Sequence, residues 1–235
     1  MTDKSLNNRL ALVTGASRGI GAATAEALAA QGVHVILVAR TAGGLEEVEE
    51  RIHNAGGSAT IAPLDLTDGE SIDRLANAIA GRWKALDVLV LNAAMLGTMS
   101  PVTAIDAKEF TQLFTLNVGA QAAMIAAFDP LLKASDRGRV IAVTSSVGQN
   151  PRAYWGAYGA SKAALENLVS AYGQEVANIS AIRTAILNPG ATATKMRAKA
   201  FPGEDQATLK SPNVVADVIA KLIVDDFETG ARVSL

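Results

Sequence analysis

The sequence predicts an α/β protein built on one doubly wound parallel sheet of about seven strands flanked by helices. Three observations carry that reading. Short aliphatic runs alternate with longer helical patterns along the 235 residues. The short runs are near-continuously apolar and do not alternate, which is the pattern of strands buried on both faces. The composition, 49% hydrophobic with only 4% aromatic residues, suits aliphatic packing between a sheet and its helices. No linker, repeat or low-complexity stretch divides the chain, so residues 1–235 read as one domain.

The elements follow in order. "LALVT" (10–14) is the first strand, and "IGAATAEALAAQG" (20–32) is a helix stopped by Gly32. "VHVILVA" (33–39) is the second strand. "LEEVEERIHNAGG" (45–57) is a charged, surface-facing helix that also ends in glycine, and "ATIAPLD" (59–65) is the third strand. Thr67 and Glu70 form a Thr-x-x-Glu capping box ahead of "SIDRLANAIAGRW" (71–83). "LDVLVLN" (86–92) is the fourth strand, and a helical pattern runs from Asp106, a good N-cap, to Lys133. "GRVIAVTS" (138–145) is the fifth strand, with a helix from about Ala157 to Asn178 behind it. "IRTAILN" (182–188) is the sixth. Ser211 and Pro212 read as an N-cap and first helical residue opening a last helix to about Val224. "ARVSL" (231–235) is a short seventh strand.

Composition excludes several functions. A net charge of −2 gives no global field for nucleic acid, and no basic block with interleaved aromatics occurs. The absence of cysteine excludes disulfides, thiolate catalysis and zinc–sulfur sites. The two histidines, His34 and His53, have no second ligand at metal spacing, so no metal site is expected. Residues 1–9, "MTDKSLNNR", lack a signal-peptide pattern, and no apolar run approaches the ~18–20 residues that span a bilayer. A cytoplasmic protein without membrane or nucleic-acid partners is the expectation.

Three glycines, Gly15, Gly19 and Gly21, fall in "TGASRGIGAA" (14–23), between the first strand and the first helix. Glycine inside a helix or strand costs roughly 0.5–1 kcal/mol relative to alanine, so the turn must need the missing side chains. A helix N-terminus offers unpaired N–H groups to a phosphate, and glycines let a pyrophosphate approach the backbone. Gly15, Ser17, Arg18, Gly19, Ile20 and Gly21 are therefore candidate cofactor residues. A carboxylate that would hold a ribose 2′-hydroxyl is missing from the end of the second strand, where "VART" places Ala39 and Arg40. Two guanidiniums, Arg18 and Arg40, suit a 2′-phosphate, which favours NADP(H), with NAD(H) as the alternative. The competing reading makes both arginines solvated surface residues.

Tyr158 and Lys162, four apart in "YWGAYGASKAAL", share a helix face. Ser145 and Ser146 end the fifth strand, at the edge where open parallel sheets place their ligands. "TGASRGIG", "LNAA" (91–94), Asn117, "TSS" before "YGASK", and "NPGATAT" (188–194) stand in the order seen in short-chain dehydrogenase/reductases. From about Leu10 to Thr194 the chain resembles that family.

The resemblance implies a Rossmann-like fold, a nicotinamide cofactor, and a small-molecule carbonyl or secondary alcohol as substrate. It implies that Tyr158 is the general acid in reduction and the base in oxidation, and that Lys162 bonds the nicotinamide ribose. It implies that Ser145 polarises the carbonyl and that Asn117 anchors a water chain refilling Tyr158. Ser145 lies thirteen residues before Tyr158, as in the family. Ser146 precedes Val-Gly much as the family's serine often does, so the choice stays open with Ser145 preferred. A free tyrosine has a pKa of about 10, and each unit of lowering takes about 1.4 kcal/mol. Lys162 and the oxidised nicotinamide are the cations expected to supply it.

Other positions carry over by motif. Asp65, with Leu66 beside it, matches the acid that contacts adenine, against a plain reading as a helix-entry cap. Asn92 and Ala93 match the second Asn and the Ala of the family's Asn-Asn-Ala-Gly, from which Leu91 and Ala94 depart; Ala94 crowds the ribose. Pro189 and Gly190 match the turn after the sixth strand, and Thr194 matches the carboxamide contact. Residues 195–209, with Met196 and Phe201, form the lid, while Met95, Leu96, Tyr154 and Trp155 line the pocket mouth. A partly apolar substrate follows. The alanine-rich stretch 119–127 and the helix of Tyr158 imply a homodimer or homotetramer. The chain ends on the seventh strand, so one pocket wall is expected to be open or supplied by a partner. A non-catalytic nucleotide sensor is the rival on the same fold, but such proteins tend to lose the Tyr or Lys that this chain keeps.

Overall fold

The computed structural model describes residues 6–235; residues 1–5, the start of the polar N-terminal stretch, lie outside the described residues. The strands are β1 (Leu10–Thr14), β2 (His34–Ala39), β3 (Ser58–Pro63), β4 (Val88–Leu91), β5 (Arg139–Val143), β6 (Arg183–Asn188) and β7 (Ala231–Ser234). They form one sheet in the order β3-β2-β1-β4-β5-β6-β7, and every pairing is parallel. The chain winds outward through β2 and β3, then returns to place β4 beside β1. That reversal opens a crevice at the C-terminal ends of β1 and β4, where a doubly wound sheet binds its ligand.

Successive side chains on a strand point to opposite faces, and here both faces are covered. On one side Val13, Leu37, Val90 and Leu187 pack under α1 (Gly19–Ala30), α2 (Ala42–Asn54) and α8 (Pro212–Asp225). On the other Leu12, Ile36, Leu89 and Val140 pack under α3 (Gly69–Ala80), α5 (Ala120–Lys133) and α6 (Gly156–Val176). This explains the continuous apolar runs. The edge strands β3 and β7 are only half-covered.

Three local expectations are corrected. The helix of 106–133 is not continuous. Asp106 caps α4 (Ala107–Phe114), accepting from Glu109 N at 2.7 Å, but a π-helical segment, Thr115–Gly119, separates it from α5. Such segments cluster at functional sites, and this one carries Asn117. Thr67 does not cap α3. Asp68 does, accepting from Glu70 N at 3.1 Å. Residues 195–209, expected to form a lid, begin with a short helix, α7 (Lys195–Ala200), which shows no long apolar period in the sequence. Among the described residues no helix is long and apolar enough to cross a membrane.

The N-terminal edge of the sheet is closed by paired charges. Arg139, at the start of β5, is 3% exposed and meets Asp226 Oδ1 at 2.5 Å, while Arg183 Nη1 meets Asp226 Oδ2 at 2.8 Å. Arg9 pairs with Asp87 and Asp136, and Arg137 donates to the carbonyls of Ile223 and Val224 at the end of α8. A groove of about 630 Å³ lies here, away from the crevice. Arg9, Arg137, Arg139 and Arg183 on its wall each have a terminal nitrogen partnered, while the Nε atoms of Arg137 and Arg139 are buried without a partner among the described residues. Burial alone would raise the Asp226 carboxyl, but the Phe227 amide and Arg139 hold it below the usual range. A carboxylate held low stabilises the fold above its unfolded pKa and loses that contribution as pH falls through the folded value. Asp226→Asn is therefore expected to cost about 2 kcal/mol at pH 7, less than a fully buried pair because Asp226 is partly exposed. In urea denaturation that difference should shrink as pH falls below the ordinary carboxylate value of about 3.9; a penalty that stays constant from pH 7 into this acid range would contradict the pairing.

Candidate active site

The crevice is built from β1 upward. Nothing in the sequence pattern singles out Thr14, yet it sets the geometry. Thr14 Oγ1 donates to Val90 O at 3.1 Å and accepts from Asn92 N at 2.9 Å and Ala93 N at 3.0 Å. Asn92 Nδ2 donates to Thr14 O at 2.8 Å and Gly15 O at 3.3 Å. Asn92 and Ala93 thus prop the glycine turn from beneath. Gly15 has φ +66°, a left-handed conformation that favours glycine. A Cβ on Gly21 would lie 2.3 Å from Gly15 O and 2.6 Å from Asn92 Nδ2, so α1 approaches β1 and β4 only because that side chain is missing.

Above the prop the turn is open. No side chain caps the N-terminus of α1, and no acid lies in its first turn. The free N–H groups and the positive end of the helix dipole form a cradle for phosphate, so the residues present fit a dinucleotide. Ser17 packs beneath Gly44 at the start of α2, and Ile20 packs on the core. Gly19 faces Thr194, whose methyl lies 3.6 Å from where a Cβ would stand. Thr194 also caps α7, accepting from Arg197 N at 3.1 Å. Gly190, at φ +64°, follows Pro189 and packs against the backbone of Leu235.

Arg18 and Arg40 are exposed at one end of this cradle, and neither forms an ion pair with a carboxylate among the described residues. The turn and β2 are tied together by Ala16 N donating to Val38 O at 3.1 Å. Asp65 is an exposed turn residue that accepts from the amide and hydroxyl of Thr67 at 2.9 and 2.8 Å. These bonds, with Arg40 nearby, hold its carboxyl below the usual range. It is not the helix cap, which Asp68 provides. Leu66 is buried in the core.

Tyr158 and Lys162 stand one turn apart on α6, 8% and 2% exposed. Lys162 Nζ donates to Val143 O at 3.0 Å and lies 5.7 Å from the centre of the Tyr158 ring. Burial pushes the Lys162 ammonium down to about 8. It pushes the Tyr158 phenol up, against the lowering expected from the sequence. The physical reason is that the ammonium bonds a carbonyl and sits over the ring, so desolvation of the phenolate dominates.

Ser145 follows β5 and caps a 3₁₀ turn, Ser146–Gly148. Ser145 is half-buried and Ser146 exposed, and neither hydroxyl bonds a protein group among the described residues. Two glycines seat this turn on α6. A Cβ on Gly159 would meet Val147 O at 2.7 Å, and one on Gly148 would meet Lys162 Cβ at 3.2 Å. Asn117 is fully buried. Its Oδ1 accepts from Met95 N at 2.9 Å, and its Nδ2 donates to Met95 O at 2.9 Å and Ser161 Oγ at 3.1 Å. These bonds tie the π segment to α6 and to the chain after β4.

Around Tyr158 the walls are apolar. Leu96, Leu113, Val147 and Ala200 cluster with Met95, Phe114, Trp155, Met196 and Phe201. The Trp155 ring stands edge-on to Tyr158 at 5.9 Å, and Met196 Sδ accepts from the Tyr158 hydroxyl at 3.9 Å. Tyr154, by contrast, is 61% exposed at φ +71° and does not belong to this cluster. Among the described residues no group of three or more His, Asp or Glu side chains is placed to hold a metal.

Residues 9–205 match the family model of the short chain dehydrogenases. The chain is 37% identical over 224 residues to the uncharacterized oxidoreductase YciK of Escherichia coli (strain K12), covering 94% of this chain and 88% of that protein. It superposes on a chain from Shigella flexneri 2a str. 301 solved in complex with NADP, with TM-score 0.94 and 35% identity over 99% of each. It superposes equally on a chain from Escherichia coli CFT073 solved with NADPH, with TM-score 0.93 and 35% identity over 100% of this chain and 99% of that one.

Proposed function

This chain belongs to the short-chain dehydrogenase family, and from that premise we propose that it is an NADP(H)-dependent oxidoreductase acting on a carbonyl or secondary alcohol, with Tyr158 as general acid and base. The observation that carries the reading is the Tyr158–Lys162 pair, buried beside the serine turn and facing an apolar wall. When bound, the nicotinamide cofactor supplies or accepts the hydride.

The chain's own residues handle the proton. Burial keeps the Tyr158 phenol protonated, which suits donation to a carbonyl oxygen during reduction. In oxidation the reverse transfer requires the phenolate, which takes the alcohol proton and returns to the phenol. Lys162 is the nearest cation, and its charge steadies the phenolate that donation leaves behind. One of its three N–H donors goes to Val143 O, leaving two for a ribose. The free Ser145 hydroxyl orients the carbonyl. Asn117 positions α6 through Ser161. Gly15, Gly19, Gly21 and the open end of α1 hold the pyrophosphate, with Thr14, Asn92 and Ala93 supporting them. The apolar walls exclude water and fit a partly apolar substrate. By resemblance we assign a homodimer or homotetramer with α5 and α6 at the subunit interface.

Arg18 and Arg40, which form no ion pair among the described residues, hold the 2′-phosphate in this reading. Arg40→Asp is expected to weaken NADPH binding about tenfold or more, the worth of one charge-assisted pair, while NADH binding changes little. Fluorescence titration with both cofactors measures this. Equal loss for the two would contradict the assignment.

A further inference from the structure

Glu166 lies one turn beyond Lys162 on α6, so Tyr158, Lys162 and Glu166 form one stripe. It is 5% exposed and the chemistry above does not use it. A carboxylate is not buried without compensation, and here the compensation is one-sided. Oε2 accepts from Gln149 Nε2 at 2.8 Å and from Arg232 Nη1 at 2.6 Å. Oε1 is buried with no hydrogen-bond partner among the described residues. The contacts join three elements: Gln149 closes the turn that Ser145 begins, Glu166 shares a helix with Lys162, and Arg232 belongs to β7.

Lys162 needs such a neighbour. Its ammonium is buried and donates to a carbonyl, and no carboxylate among the described residues lies within salt-bridge distance. The groups that face it are the Tyr158 ring and the Val143 carbonyl. The Glu166 carboxylate is the charge that favours the ammonium, while burial opposes it. Arg232 is half-exposed and pairs with that same carboxylate.

We propose that Glu166 is a positioning residue of the active site, a buried carboxylate that keeps Lys162 charged and ties the serine turn to α6, with Arg232 setting how much of its charge the lysine feels. The proposal rests on the role assigned to Lys162 above.

The test reads Lys162 directly, by NMR titration of the full chain carrying ¹³C-labelled lysines, with the signal assigned by its loss in Lys162→Arg. Glu166→Gln removes the charge that favours the ammonium, so the midpoint should fall by about one pH unit from its wild-type value. Arg232→Gln removes the charge that offsets Glu166, so the midpoint should rise by about half a pH unit, less because Arg232 is half-exposed. Opposite movements support the proposal. A midpoint unmoved in Glu166→Gln, or moved the same way by both variants, overturns it. Should Glu166→Gln not fold, Arg232→Gln decides alone: a rise supports the proposal, and no change or a fall overturns it. The readout needs no substrate, so absence of turnover would count against the proposed function and leave this result legible.

Discussion

Tyr158→Phe is expected to lower NADPH-dependent carbonyl reduction by about 10²–10⁴-fold, the range for loss of a positioned general acid. NADPH binding should stay within about twofold, since only a hydroxyl on the substrate side is removed. The fold should tolerate the change. The hydroxyl has a single protein partner, the weak acceptor Met196 Sδ at 3.9 Å, so its loss should cost under about 1 kcal/mol. The ring keeps its edge-on contact with Trp155. Steady-state turnover beside a binding titration separates chemistry from binding. A variant within tenfold of wild-type turnover would remove Tyr158 from the proton path.

Gly21→Ala is expected to damage the cofactor site more than any single exchange of the surrounding side chains. The added methyl would sit 2.3 Å from a backbone oxygen and 2.6 Å from an amide already bonded to Thr14 and Gly15. Neither can yield without moving α1 off the sheet. Overpacking of this kind costs about 1–3 kcal/mol of stability, and displacing the N–H groups that hold phosphate should weaken NADPH about 100-fold. Gly43→Ala is the control. A Cβ there meets nothing within 4 Å, so binding should be unchanged and stability equal or up to about 1 kcal/mol higher. Thermal melts and NADPH titrations of the two variants give the comparison; equal effects would mean that the glycine turn does not need the close approach.

Most of the fold was legible because parallel strands covered on both faces leave continuous apolar runs, and β1, β2, β4, β5 and β6 announce themselves that way, while the half-covered edge strands β3 and β7 show it less. The ends were less legible: β5 stops at Val143, two residues short of Ser145, because the chain turns there to seat on α6. The site's residue types were legible from motif order. Their individual jobs were not. Asn92 carries a motif expected to touch the cofactor, yet its amide supports the turn. It meets Thr14 across 78 residues, a contact that strand register creates and local sequence does not show. Asn117 gave no sign of the π segment around it, since that irregularity follows from its bonds to Met95 and Ser161. Glu166 reads as one more charged residue on a helix, and only the packing of β7 and the serine turn shows it to be buried.

The central claim, NADP(H)-linked hydride transfer to a carbonyl or from an alcohol, is tested most directly by oxidation of NADPH by the wild-type protein. The panel should span ketones, aldehydes, diketones, quinones and 3-oxoacyl thioesters. The expected result is turnover on at least one partly apolar carbonyl, with NADH a much poorer donor. A protein shown to bind NADPH that turns over no member of the panel, in either direction, would contradict the claim.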